Sequence, residues 1–398
     1  MLSHKWEEIR GQLCTSSRLR MCTSLHREGK LIHWNDRQLL HLSSNDYLGI
    51  GSNLILQREF LHGILTPTDS SGGYLGSGGS RLLCGDLPAI QKAEEAWRRW
   101  VEKEQALLFP TGYQANVALF SILGELGVTV FLDEQCHASM WDGLRVGGTR
   151  FFRFRHNDID HLASILSRYG KGCAQPVIAT EGVFSMEGDS PPLSELCALK
   201  EDYDAFLIVD EAHALGVLGS EGKGASYEAG MLSHIDVVIG TGGKALGASG
   251  GVIAGPKWLI EAIVNRGRPF IFTTGIPPLL AEWHAWIIPR IQKMEQERAH
   301  VRHLTSLLMR ELQSLCLPVR GGRGCIVSVV AGADRTAVEW AYGLREAGFF
   351  VHPIRPPTVP EGDARIRISV TAEMTTEDVR ALAETCVQVM ARGKRRSV

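Results

Sequence analysis

The sequence predicts an α/β fold: a large domain on a mostly parallel sheet covered by helices, followed by a smaller α+β C-terminal domain. Three observations carry this. Short apolar runs recur through the middle of the chain, as strands buried on both faces of a sheet require. Amphipathic stretches separate several of them, and such alternation indicates parallel connections. A long helical pattern over Leu279–Cys316 then changes the rhythm, and the chain beyond it reads as a separate unit.

Taken in order, the first forty or so residues read as a polar, helical lead-in followed by a strand pair, Leu31–Trp34 and Leu39–Leu42. The stretch Ser70–Ser80 is too rich in glycine to sit cheaply in a helix or strand, so it reads as a loop. Leu87-Pro88 opens a helix to about Glu104, with proline in the first turn. The buried strands are Ala106–Phe109, Val128–Leu132, Phe151–Phe154, Pro176–Glu181, Phe206–Val209, Val237–Gly240 and Gly251–Ala254. Helices are expected over Ile159–Arg168 and Leu193–Tyr203. The C-terminal unit reads as strand Cys325–Val329, helix Arg335–Ala347 and strand Arg365–Val370. The expected organisation is a lead-in over 1–45, a large domain over 46–285 and a small domain over 286–398, with the lead-in packing on the small domain.

Composition narrows the function classes. A chain of 398 residues with 44% apolar and 22% charged residues can bury a sizeable core. Its net charge is 42 − 44 = −2, which gives no support for a nucleic-acid or membrane-surface partner. The run Arg392, Lys394, Arg395 and Arg396 reads as a solvated tail. The nine cysteines form no C-x-x-C pair and do not cluster with histidines at zinc-ligand spacing, so no metal site is expected. No export signal or transmembrane run is visible, and scattered thiols suit a reducing, cytoplasmic location.

Three segments could carry chemistry. Ala205-Phe-Leu-Ile-Val-Asp-Glu-Ala-His213 delivers Asp210 and His213 to a strand's C-terminal end, where open α/β sheets bind ligands. The same stretch resembles a D-E-A-H nucleotide-hydrolase motif, but the upstream G-x-x-x-x-G-K-[ST] loop that motif needs is missing. Alone, it reads better as an acidic pair solvating a strand end. Val237-Val-Ile-Gly-Thr-Gly-Gly-Lys-Ala-Leu-Gly-Ala-Ser-Gly-Gly251 surrounds Lys244 with small residues. These would let a flat cofactor approach the backbone, and burial would lower the amine's pKa towards its nucleophilic form. Thr241 is placed to hold a phosphate oxygen; a glycine-rich turn with an exposed lysine fits the segment as well. In Phe109-Pro-Thr-Gly-Tyr-Gln-Ala-Asn116 a strand ends, Gly112 turns the chain, and a helix begins near Tyr113. Free N–H groups there form a phosphate seat. His137 and Ser185 lie in loops downstream and alone carry no role. Gly72–Gly79 is no dinucleotide fingerprint, because Arg81 stands where the last glycine belongs and no strand feeds it.

Together and in this order, these segments resemble the α-oxoamine synthase family of pyridoxal-phosphate enzymes. The likeness runs from Leu42-Ser-Ser-Asn-Asp-Tyr-Leu-Gly49 to Arg365-Ile-Arg-Ile-Ser-Val-Thr-Ala372. It includes Gly76-Ser-Gly-Gly-Ser-Arg81, Glu181-Gly-Val-Phe-Ser-Met-Glu-Gly-Asp189 and Arg355-Pro-Pro-Thr-Val-Pro360. The last resembles the biotin-biosynthetic branch more than relatives making aminolevulinate, aminoketobutyrate or ketosphinganine. The resemblance implies an aspartate-aminotransferase-like fold and pyridoxal 5'-phosphate as cofactor. It implies L-alanine and a pimeloyl thioester, on coenzyme A or acyl carrier protein, as substrates. Lys244 would hold the cofactor as a Schiff base and act as general base. Asp210 would face its ring nitrogen, His137 would stack on the ring and meet substrate, and Ser185 and His213 would lie near its phenolic oxygen. Gly112, Tyr113 and Thr241 would contact the phosphate. Thr358 and Arg20, or else Arg18, would bind the acyl substrate. The family's homodimer would place Gly72–Gly79 and Thr273-Thr274 in the neighbouring subunit's site. Glu211 and Ala214 depart from the commoner Asp and Gly, and Gly242-Gly243 loosens the usual pair before the lysine. A catalytically silent scaffold subunit would typically lack Lys244.

Overall fold

The computed structural model describes residues 2–65, 75–172 and 174–395. Its contacts divide into two compact units. One comprises Asn53–Ser185 and Ser190–Arg298. The other joins the chain up to Ser52 with Met186–Asp189 and the chain from Ala299 onward.

The larger unit is built on a seven-stranded sheet. Its strands are β1 (Gln105–Phe109), β2 (Thr129–Asp133), β3 (Arg150–Phe154), β4 (Pro176–Glu181), β5 (Phe206–Asp210), β6 (Val237–Thr241) and β7 (Gly251–Gly255). Their order is β1-β7-β6-β5-β4-β2-β3. Strands β3, β2, β4, β5 and β6 are mutually parallel, whereas β7 runs antiparallel to both β6 and β1. Every residue of β2, β4 and β7 is buried, which is why these segments read as continuous apolar runs. Leu119, Phe120, Leu132, Ile208, Ile239 and Ile253 share one core, each worth roughly 1.5–3 kcal/mol on burial.

Because β7 reverses twice, β1 points the same way as the parallel strands. The C-terminal ends of β1, β2, β4, β5 and β6 therefore open on one edge of the sheet, where α/β folds seat their ligands. Helix α1 (Gly112–Glu125) follows β1, and α2 (Ala138–Val146) follows β2.

The single helical pattern expected over Leu279–Cys316 is in fact two helices, α3 (Pro278–Ile291) and Glu295–Ser314. Pro289 inside α3 has no N–H to donate. The wholly buried Arg298 donates Nη1 to the Ile291 carbonyl at 2.6 Å and Nη2 to the Gln292 carbonyl at 3.0 Å, satisfying groups a helix end leaves open. The units divide beyond this break, at Arg298/Ala299, where the second helix runs on without a linker.

The smaller unit has two four-stranded sheets. Strands His26–Glu28, Leu31–Trp34 and Arg37–His41 form an antiparallel meander, to which Phe349–Phe350 adds in parallel. The other sheet orders Val319–Gly321, Ile326–Gly332, Ala364–Ser369 and Pro353–Ile354, all antiparallel. The continuation of helix Glu295–Ser314 beyond Arg298 and helices Leu2–Thr15, Asp334–Glu346 and Thr376–Arg395 belong to it as well. Arg392, Lys394 and Arg395 thus belong to a helix and not to a tail, while Arg396 lies outside the described residues. Segment Met186–Asp189 belongs here for local reasons. Glu187 Oε1 pairs with the buried Arg365 at 2.6 Å, and Gly188, at φ +73°, packs so tightly on Ile326 that a Cβ would lie 2.5 Å from its carbonyl oxygen.

No helix among the described residues is long and apolar enough to cross a membrane.

Candidate active site

A cavity of about 160 Å³ opens at the strand ends of the larger unit. It is lined by Lys244, Asp210, His137, His213, Gly112, Tyr113 and Thr241, all singled out from the sequence. Asn116, Ser139, Glu181 and Ala212 complete the wall.

The acidic end begins with Asp210, the last residue of β5. Its Oδ1 accepts the Ala212 backbone N–H at 2.9 Å, and its Oδ2 accepts from Asn116 Nδ2 at 3.0 Å. Asn116 also donates to Ser139 Oγ at 3.0 Å, and Ser139 Oγ lies 2.7 Å from His137 Nδ1. With its acceptor side used by Asn116, the Ser139 hydroxyl donates onward to the imidazole. The Ser139 backbone N–H points at the same Nδ1, at 3.3 Å. His137 therefore carries its proton on Nε2 when neutral. Burial lowers its pKa, as does the Lys244 charge, against an opposing pull from Asp210. Hydrogen bonds thus connect the carboxylate to the ring, with Asn116 donating to both sides and Ser139 donating onward to the imidazole.

Glu181 ends β4 beside Asp210 and accepts the His137 backbone N–H at 2.6 Å. Burial, and then the Asp210 charge, push its carboxyl pKa up.

The opposite end is a helix start. Thr111 caps α1, its Oγ1 accepting the Gln114 N–H at 3.2 Å, and Gly112 and Tyr113, which line the cavity, lie in the first turn, where N–H groups have no intrahelical partners. Backbone must come close here: a Cβ on Gly251 would lie 2.5 Å from the nitrogen and Cα of Gly112. Thr241 Oγ1 donates to the Gly250 carbonyl at 2.8 Å and accepts the Gly243 N–H at 3.2 Å, which fixes its hydroxyl between Gly112 and Lys244. Tyr113 sits half exposed, its hydroxyl donating to Asp142 at 2.7 Å.

This donor set fits a small aromatic phosphate: an amine, an ionisable carboxylate, an imidazole, and a helix start with the N–H groups that seat anions. Asn116 Oδ1 is buried there with no hydrogen-bond partner, so the wall keeps polar capacity in reserve.

Other sequence-picked residues lie elsewhere. Ser185 is half buried and not among the residues lining the cavity. In the smaller unit, Arg18, Arg20, Leu13, Pro356, Pro357, Val359 and Glu361 line a mostly apolar pocket of about 360 Å³. Thr358, exposed beside that lining, donates its N–H to the Arg355 carbonyl at 3.1 Å. Arg18 is committed to Asp334, at 2.6 Å, and to Glu361. Among the described residues, Arg20 donates to the carbonyls of Arg355, at 3.3 Å, and Pro356, at 3.0 Å. Of the glycine-rich loop, residues 72–74 lie outside the described residues. Gly79 accepts from the Gly275 N–H at 3.0 Å, and Ser80 bridges Thr274.

Glu211 shows why its departure from aspartate is accommodated. Its buried carboxylate turns away from the cavity to accept the N–H groups of Ala225, at 2.9 Å, and Ser226, at 2.7 Å. Gly182 and Gly224 leave room for it, since a Cβ at either would lie 2.3 or 2.7 Å from Glu211 Oε2.

Sequence reasoning missed Asn116, Ser139 and Glu181 as site residues. Asn116 follows the Thr111 cap by about one and a half helical turns, which places it on the helix face above the strand ends. That spacing was a usable signal.

The family model "Aminotransferase class I and II" matches residues 37–385. A Haemophilus influenzae protein named "Putative 8-amino-7-oxononanoate synthase" is 37% identical over 375 residues, covering 94% of this chain and 97% of that protein. A Pasteurella multocida protein of the same name is 35% identical, covering 97% and 99%. Among solved structures, a serine palmitoyltransferase from S. paucimobilis with bound PLP–myriocin superposes with a TM-score of 0.89 at 26% identity, covering 98% of both chains.

Proposed function

The chain belongs to the class I and II aminotransferase family and, within it, to the pyridoxal-phosphate-dependent α-oxoamine synthases, and from that premise we propose that it is an 8-amino-7-oxononanoate synthase. The reaction would join L-alanine to a pimeloyl thioester, on coenzyme A or acyl carrier protein, releasing carbon dioxide and the thiol. This step belongs to biotin biosynthesis. The observation that carries the reading is the meeting of Lys244, Asp210, His137 and the α1 start around one cavity. The relatives' shared name and the Arg355–Pro360 segment support the choice of substrate.

Its cofactor is pyridoxal 5'-phosphate. When bound, that group supplies an electron sink for negative charge on the amino acid's α-carbon. Lys244 Nζ would hold the cofactor covalently and, as the general base, would take the amino acid's α-proton and return one to the same carbon. Asp210, anchored by Asn116 and the Ala212 N–H, would face the ring nitrogen and hold a proton there. His137, its Nδ1 engaged by Ser139, would stack on the ring and offer Nε2–H to the alanine carboxylate or the developing oxyanion. Gly112 and Tyr113 N–H groups and Thr241 hold the phosphate, while His213 and Ser185 serve the phenolic oxygen. Arg20 and Thr358 receive the far carboxylate of the pimeloyl chain, because Arg18 is already paired with two carboxylates.

The enzyme works as a homodimer in this reading. Leu75, Leu82, Leu83 and Phe272 are all more than half exposed around the Gly79–Gly275 junction, an apolar surface suited to a second copy.

A second reading keeps the cofactor and changes the partners: a synthase using glycine or serine with another acyl thioester, supported by the likeness to serine palmitoyltransferase. Mass spectrometry of products from alanine, glycine or serine, each with pimeloyl or palmitoyl thioester, separates the two. Product only from serine and the long chain would overturn the first.

A further inference from the structure

We propose that His284 is a positioning residue for Lys244, a neutral bridge that fixes the lysine-bearing turn against helix α3. The inference rests on reading Lys244 as the reactive amine.

Lys244 lies on the turn between β6 and β7, whose stems are tied by the Gly242 N–H to the Gly250 carbonyl at 2.9 Å. Both stems press on the His284 imidazole: a Cβ on Gly242 would lie 2.3 Å from Nε2, and one on Gly250 would lie 2.9 Å from Cε1. His284 is wholly buried. Its Nδ1 accepts the Trp97 indole N–H at 2.9 Å, so the proton must sit on Nε2, which donates to the Ser249 carbonyl at 2.6 Å. A protonated ring would set two donors face to face at Nδ1. Burial agrees with this, pushing the pKa down to about 4.

The neighbouring Trp283 donates its indole N–H to the Leu246 carbonyl at 2.8 Å. Two consecutive residues of α3 thus grip the turn at Leu246 and Ser249, on the C-terminal side of Lys244. On that same side, the Gly247 N–H bonds the Lys244 carbonyl and the Ala248 N–H bonds the Gly242 carbonyl, both at 2.9 Å. A side chain reaches a reacting carbon only as reliably as its backbone is held, and misplacement by an ångström costs about a hundredfold in rate. None of these contacts touches substrate, so His284 acts through Lys244.

The test compares His284→Leu, His284→Gln and Trp97→Phe in the full-length, cofactor-loaded protein by amide hydrogen exchange and steady-state kinetics. In His284→Leu the Gly247 and Ala248 amides should exchange about tenfold faster or more while those of β4 and β5 keep their rates. The kcat should fall about tenfold with the KM for the amino acid changed little. Glutamine, which can both accept and donate, should restore most of both. Should His284→Leu fail to fold, Trp97→Phe, which frees the ring's tautomer, must show the same local exchange. Wild-type exchange and kcat in the leucine variant, a glutamine variant as poor as leucine, or acceleration spread evenly over the sheet would each overturn the proposal. If the wild type makes no α-oxoamine yet the exchange pattern holds, the functional reading fails alone; product without a local exchange response sinks only the bridge.

Discussion

Glu181 and Asp210 are register partners on adjacent parallel strands, so two buried carboxyl groups stand side by side at the wall of one cavity. Two such groups cannot both ionise cheaply. Burial and the Asp210 charge raise the Glu181 pKa, while Asp210 accepts hydrogen bonds from Asn116 and from the Ala212 N–H. Glu181→Gln, which mimics the neutral acid and keeps an acceptor for the His137 N–H, should leave kcat within about threefold, whereas Asp210→Asn should lower it about a hundredfold or more. Steady-state assays of both variants at neutral pH check this. A glutamine variant as damaged as the asparagine one would contradict the division of roles.

Lys244→Ala should retain the fold, since the bonds that shape its turn run between backbone groups. Turnover should drop about a thousandfold or more. Borohydride reduction followed by peptide mapping should label Lys244 in the wild type and no lysine in the variant. Near-normal product formation by Lys244→Ala would remove the basis of the proposed chemistry.

Arg18 and Arg20 should separate cleanly. Arg20→Ala removes bonds to two carbonyls only, and should raise the KM for the pimeloyl thioester about tenfold with Tm unchanged. Arg18→Ala strands Asp334 and Glu361 and should lower Tm. A KM effect confined to Arg18→Ala would exchange the two assignments.

His284 makes stability depend on acid. Its folded pKa is about 4 against 6.5 for the free side chain. Between those values the unfolded chain binds a proton that the folded chain refuses, so stability falls as pH drops through that window, by on the order of 3 kcal/mol. Urea titrations of the wild type and His284→Gln from pH 7 to pH 4 should show a shallower loss in the variant. Parallel curves would mean that the ring is protonated in the native state.

Gly182→Ala should be costly. Its Cβ would meet Glu211 Oε2 at 2.3 Å, and that carboxylate is pinned by the Ala225 and Ser226 N–H groups. A loss of about 2–3 kcal/mol is expected in chemical denaturation. An unchanged midpoint would show that Glu211 can move aside.

Most of the seven sheet strands were legible because they are short, largely apolar runs buried on both faces, whereas the edge strand Arg150–Phe154 carries two exposed arginines and shows itself by its phenylalanines. Lys244, Asp210 and Gly112 were legible for a related reason: each follows such a run, and strand ends are where chemistry gathers. Asn116 and Ser139 were not. Each sits inside or at the start of a helix, and only the fold reveals that Asn116 spans from Asp210 to the Ser139 hydroxyl. The division inside Glu181–Asp189 was equally hidden, because it depends on Gly188 meeting Ile326 far along the chain. The interruption after Ile291 needed Arg298 to curl back over the helix end, a choice that helical periodicity does not encode.

Gly112 and Gly251 face each other across a gap too narrow for a methyl group, and Thr111 bridges Gly250 beside them. The ledge that would receive an anion and the hairpin that carries the amine are consequently one mechanical piece. Enlarging Gly251 would lengthen the span between those two anchor points, so a ligand of fixed size could satisfy one of them and miss the other. Selection for a molecule of one particular length is built into a single hydrogen.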